Sequence, residues 1–127
     1  MKIILDDRVT EWLEPKLQTG DRLYFDFEDG VGPFANTEIS CRLDLSFRLI
    51  VTGADYPSTG LEVYNIPVET AVGLFYIKET SQPYFEEENF LTFNPQNGLR
   101  LKGKSGIVAD NIAFLRMEQS QATGQKA

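Results

Sequence analysis

Apolar and polar positions alternate with period two over much of the chain, and each alternating run is bounded by turn residues. Lys2–Leu5 reads as a short strand. Asp6 or Asp7 is placed to cap a helix, because a carboxylate accepts hydrogen bonds from unpaired first-turn amides. Val9, Trp12, Leu13 and Leu17 then fall on one helical stripe. Pro15 predicts that this helix kinks or ends near Glu14, and Gly20 supplies a stop. Leu23, Phe25 and Phe27 alternate with Tyr24 and Asp26, a strand that runs into the turn-rich stretch Glu28-Asp29-Gly30-Val31-Gly32-Pro33. The longest alternation follows: Ile39, Cys41, Leu43, Leu45, Phe47 and Leu49 against Ser40, Arg42, Asp44, Ser46, Arg48 and Ile50. It predicts a long strand with one apolar and one mostly wet face.

Residues 53–60 read as a polar loop, and Leu61–Val68 as extended chain with Pro67 at a sheet edge. Leu74–Lys78 is a further strand, and Glu86–Glu88 a connection. Leu91–Phe93 and Leu99–Leu101 flank Asn94-Pro95-Gln96-Asn97-Gly98 as a hairpin, with Ile112–Met117 a last strand. The expected fold is mainly β (α+β): a β-sandwich or partly rolled sheet with one N-terminal helix. One domain is expected over residues 1–117, followed by a polar, disordered tail over 118–127. A chain of 127 residues buries roughly two-thirds of its unfolded surface, so it needs neither disulfide nor metal to fold.

Twelve Lys and Arg against 19 Asp and Glu give a net charge of −7. That balance opposes nucleic acid and anionic membrane surfaces as partners and favours solubility. The opening Met1-Lys2-Ile3-Ile4-Leu5 is too short for a signal-peptide core, and no apolar run reaches bilayer length. One cysteine excludes an internal disulfide and suits a reducing compartment. A cytoplasmic location is expected. The absence of histidine excludes Ser-His-Asp and Cys-His catalysis, and zinc sites built on histidine. No nucleophile–base pair is visible, so no enzyme is expected.

Four features carry candidate chemistry. Gly30-Val31-Gly32-Pro33-Phe34-Ala35 fits a dinucleotide fingerprint, but strand-like alternation follows where the motif requires a helix. Asp26, Glu28 and Asp29 cluster beside that loop; hard cations, ferric iron among them, take such oxygens, whereas the plain alternative is a solvated strand end. Carboxylates such as Asp26 and Asp44 suit glycoside chemistry only at a defined separation, which spacing along the chain does not supply. Cys41 is either a buried, inert thiol or a lone thiolate ligand.

The order of elements resembles the HesB-like, or A-type, iron–sulfur carrier domain over residues 1 to about 117. Ile3–Leu17 looks like its opening strand and helix, and Arg22–Phe27 like the strand entering its glycine-rich loop. Phe25–Phe34 together with Ser46–Leu49 is similar to a branch of small bacterial core iron–sulfur biosynthesis domains. In the carriers three cysteines hold the iron, one after the loop and two in a terminal Cys-Gly-Cys. The resemblance makes Gly30, Val31, Gly32, Pro33 and Phe34 the ligand-loop equivalent, with Val31 standing where the first cysteine would be. No cysteine follows Cys41, which matches no ligand position.

What the resemblance implies is a non-enzymatic protein related to iron–sulfur cluster biogenesis, working by protein contacts or weak iron binding. Iron is its implied metal and homo-oligomers its implied assembly; the ligand candidates, Cys41, Asp26, Glu28 and Asp29, come from the residue reading above and not from the resemblance. The alternative is a small-molecule binding module whose pocket is lined by some of the nine Phe and five Tyr.

Overall fold

The structure, a computed structural model, describes residues 1–28, 33 and 47–117. Two expectations lie outside these residues: the part of the long alternating strand before Phe47, and the polar tail from 118. Among the described residues the chain forms β1 (Lys2–Leu5), α1 (Asp7–Leu13), β2 (Arg22–Phe27), β3 (Phe47–Thr52), β4 (Ile66–Thr70), β5 (Gly73–Ile77), β6 (Glu88–Phe93), β7 (Leu99–Gly103) and β8 (Gly106–Met117). The eight strands make one sheet in the order β1-β6-β7-β8-β3-β2-β5-β4. Its two edge strands, β1 and β4, come against each other, so the sheet is nearly closed. The mainly β, partly rolled fold with one N-terminal helix is as expected.

Local chemistry sets the opening elements. Asp6 caps α1, its Oδ1 accepting from the Val9 amide at 2.9 Å. The helix stops at Leu13, and Pro15 sits in a 3-10 turn over Glu14–Lys16. Val9 and Leu13 are fully buried in the core, where α1 lies against β6. Pro67 lies in the edge strand β4, where its missing N–H costs least.

β8 does the rolling. Its first half pairs antiparallel with β7 and its second half parallel with β3. Within the β7-paired half, at the irregularity between Ala109 and Ile112 just before the changeover, Asn111 takes φ 51°, a left-handed conformation that asparagine tolerates better than most residues. One strand thereby turns the corner between two parts of the sheet.

Three expectations are corrected. Leu61–Val63 is a 3-10 turn, not strand: Gly60 enters it at φ 84°, and the Tyr64 amide bonds back to Leu61. The connection expected at Glu86–Glu88 already enters β6 at Glu88, and ahead of it Glu79–Tyr84 forms a further 3-10 turn, with the Ser81 hydroxyl donating to the Lys78 carbonyl at 2.8 Å. β2 and β3 have no wet face, because Leu23 through Asp26 and Phe47 through Thr52 are all buried. The second face is covered by the segment after β3. Tyr64 packs on Tyr24 and Ile50, with Tyr56, Leu61 and Val63 alongside. Among the described residues no helix is long and apolar enough to cross a membrane.

Candidate functional site

Alternation along β2 turns Phe25 into the core and Asp26 toward the covered outer face. β3 runs antiparallel beside it in a register that sets Arg48 directly opposite Asp26. Lys78 directly follows β5 and reaches the same carboxylate, and Tyr64 reaches it from the covering segment. Arg48 donates from Nε to Asp26 Oδ2 at 3.1 Å and from Nη2 to the same oxygen. Tyr64 donates its hydroxyl to Oδ1 at 2.7 Å, and Lys78 Nζ lies 3.2 Å from that oxygen. Arg48 Nη2 also reaches Glu28 Oε1 at 3.1 Å, at the partly exposed rim.

Asp26 is 1% exposed, and Arg48 and Lys78 are equally buried. The arrangement obeys the rule that a buried charge must be paired and hydrogen-bonded. It also decides what Asp26 can do. A carboxylate offers about four lone-pair positions, and four donors occupy them here. In this geometry Asp26 has no oxygen lone pair to turn toward a cation, and two fixed positive charges stand beside it. It is a buried ion-pair centre, not the solvated strand end that the sequence allowed.

Of the other ligand candidates, Glu28 is held by Arg48, while Asp29 and Cys41 lie outside the described residues, as do Gly30–Gly32 and Phe34 of the ligand-loop equivalent. Pro33 of that loop is exposed and lies against Gly60, where a Cβ would come 3.3 Å from the proline ring. Beside the strand end, Phe27 stacks on Tyr84 at 4.1 Å and 16°. Among the described residues no group of three or more Asp, Glu, Cys or His side chains is placed to hold a metal ion. Several of the phenylalanines pack on one another in the core: Phe25 lies edge-on against Phe47, Phe75 and Phe85 at 5.6–6.1 Å.

Sequence reading missed Arg48, Lys78 and Tyr64. One signal was available: Asp26 and Arg48 sit in the middle of two apolar strands, where opposite charges are tolerated mainly as a pair.

A second polar cluster fixes the hairpin to β8. Arg100 Nη2 donates to Asp110 Oδ2 at 2.9 Å, and Asn94 Nδ2 to Asp110 Oδ1 at 2.7 Å. The Arg100 and Asn94 hydrogen bonds hold the Asp110 carboxyl down at about 2, from 3.8. A carboxylate depressed by folding stabilises the native state above its ordinary pKa, and that contribution is lost as pH falls through the folded value. Asp110→Asn is therefore expected to flatten the loss of stability between pH 3.8 and about 2. Urea midpoints across that range check it; an unchanged slope would remove Asp110 from the acid response.

With this geometry in view, the chain can be set beside known proteins. A family model described as iron–sulphur cluster biosynthesis matches residues 1–116. The chain belongs to that family. No curated protein matches it. Among solved structures, a candidate Fe-S biosynthesis protein from Lactobacillus salivarius, described as having a novel protein fold, superposes with a TM-score of 0.79 at 26% identity, over 93% of this chain and 99% of that one. A second candidate Fe-S biosynthesis protein, from Lactobacillus acidophilus, gives a TM-score of 0.66 at 13% identity, over 96% of this chain and 93% of that one, a likeness of fold alone. The resemblance drawn from the residues thus holds at the level of the family. This member of the iron–sulphur cluster biosynthesis family has the family's domain with a single cysteine.

Proposed function

We propose that this member is a non-enzymatic protein that serves iron–sulfur biogenesis through protein contacts, without carrying a cluster on its own thiolates. The observation behind the reading is the sulfur count: one cysteine in 127 residues. Cluster iron is held by soft thiolate donors, normally four per cluster. Two copies of this chain supply two. The saturated Asp26 carboxylate supports the same reading, since it leaves no buried oxygen there to replace a missing sulfur. Contact with iron is then weak and carboxylate-based.

The test is anaerobic reconstitution with ferrous iron and sulfide, followed by desalting. The protein is expected to emerge without stoichiometric iron and without the visible absorption of thiolate-bound iron. A stoichiometric chromophore that survives the column, and that is lost in Cys41→Ala, would overturn the proposal.

A further inference from the structure

The turn that joins β6 to β7 is built on a dipeptide with chemistry of its own. Asn97 takes φ 67°, in the left-handed region that asparagine tolerates, and its amide donates to the Asn94 carbonyl at 2.9 Å. Gly98 follows because nothing larger fits. A Cβ there would stand 2.5 Å from Asn111 Oδ1 and 3.1 Å from Asn94 Nδ2, two atoms already hydrogen-bonded to each other at 2.9 Å. The turn thus favours asparagine followed by glycine, a pair open to attack of the backbone on the side chain. With no Cβ on Gly98 in the way, its nitrogen, once deprotonated, can approach Asn97 Cγ. A bond forms from Gly98 N to Asn97 Cγ, and the Cγ–Nδ2 bond breaks. Nδ2 leaves as ammonia, taking up a proton in place of the one Gly98 lost. Water then opens the five-membered imide at either carbonyl, leaving aspartate or isoaspartate at position 97.

Asn97 is exposed, so water reaches its side chain, but the attacking nitrogen is engaged elsewhere. The Gly98 N–H donates to Asn94 Oδ1 at 2.8 Å, and the Gly98 carbonyl accepts from the Asn94 amide at 2.8 Å. One residue therefore holds the peptide units on both sides of Gly98. The Asn97 side chain is tied separately, its Oδ1 accepting from Arg8 Nη2 on α1 at 3.2 Å. Asn94 is itself fixed. It is 3% exposed, its Oδ1 also accepts from the Gln96 amide at 2.9 Å, and its Nδ2 donates to Asp110 and Asn111 on β8. A backbone N–H bonded in this way keeps its proton until the turn opens. Pointing at Asn94, it does not point at Asn97 Cγ.

We propose that Asn97 is a latent modification site, guarded by Asn94, which deamidates only when the β6–β7 turn opens. The conversion locks in the opening. Isoaspartate places an extra methylene in the backbone between the two amides that bond Asn94, so the turn cannot close on the same partners. The chemistry requires only water and does not depend on whether the chain carries a cluster.

Incubation of the full chain in mildly alkaline buffer, followed by peptide mapping and mass spectrometry, tests it. Folded wild type is expected to convert at Asn97 at least about tenfold more slowly than the same chain unfolded in urea. Asn94→Ala, shown to be folded by circular dichroism, should convert at least about tenfold faster than folded wild type, the effect of losing the hydrogen bond on Gly98. Adding Asn97→Ser to Asn94→Ala should abolish the mass gain. Equal rates in folded and unfolded wild type, or an Asn94→Ala rate equal to that of wild type, would overturn the assignment. If Asn94→Ala does not fold, hydrogen exchange at the Gly98 amide of wild type decides: slow exchange supports the guard, and exchange at the rate of an open turn overturns it.

Discussion

Asp26→Ala is expected to cost about 3–5 kcal/mol, the loss associated with removing one partner of a buried ion pair. The side chain itself is small and apolar contacts change little. The cost arises because Arg48 and Lys78 stay buried after the acceptor that both share is gone. Against a typical stability of about 5–15 kcal/mol for a domain, the variant lies near the edge of folding. Two controls separate charge from shape. Tyr64→Phe removes one neutral donor to Oδ1 and should cost only about 0.5–1.5 kcal/mol. Adding Lys78→Met to Asp26→Ala removes one buried cation that has lost the Asp26 carboxylate and should recover part of the loss, a positive coupling in a double-mutant cycle. Urea denaturation followed by near-ultraviolet circular dichroism reads all of these. If Asp26→Ala cost less than Tyr64→Phe, the cluster would not be held by charge.

The elements that sequence reading placed well are those fixed by neighbours in the chain. The Asp6 cap, the helix end before Pro15 and the hairpin around Asn94–Gly98 each depend on contacts within a few residues. Pro67 announced an edge by what it lacks. What stayed hidden depends on distant pairing. β1 with β6, β2 with β5 and β3 with β8 are parallel neighbours that no local period specifies. A period of two also says only that a strand has two faces. It does not say whether the second face is later covered, and here a segment that reads as a polar loop contributes Tyr56, Leu61, Val63 and Tyr64 as a cover.

The burial of Asp26 was hidden for that same reason. Asp26, Glu28 and Asp29 read along the chain as one acidic cluster, a solvated strand end or a hard-cation site, and of these Asp26 and Glu28 are among the described residues. Their cationic partner Arg48 is 22 and 20 residues away, and Tyr64 is 38 residues from Asp26. Once the outer face is covered, an acid on it must be neutralised from within the protein. The family assignment was legible because it follows the order of elements and the loop composition; the single cysteine, on which the proposal above rests, needs only a count of sulfur atoms.

Phe25→Ala tests the inner layer as Asp26→Ala tests the outer one, one residue along the same strand. Phe25 is fully buried and meets Phe47 on β3, Phe75 on β5 and Phe85 just before β6. Removing a ring from such a site costs its transfer free energy plus that of the cavity left behind, about 3–5 kcal/mol. The upper part of that range is expected, because the three neighbouring rings are tied to separate stretches of backbone. Phe47 and Phe85 already hold each other edge-on at 5.2 Å, so neither is free to swing into the gap. Tyr84→Ala, by contrast, removes an exposed ring stacked on Phe27 at the surface and should cost a fraction of that. Urea midpoints at constant m-value measure both. A Phe25→Ala loss no larger than that of Tyr84→Ala would mean that the rings repack, and that the interior of the roll is not the fixed aromatic cluster on which the strand register rests.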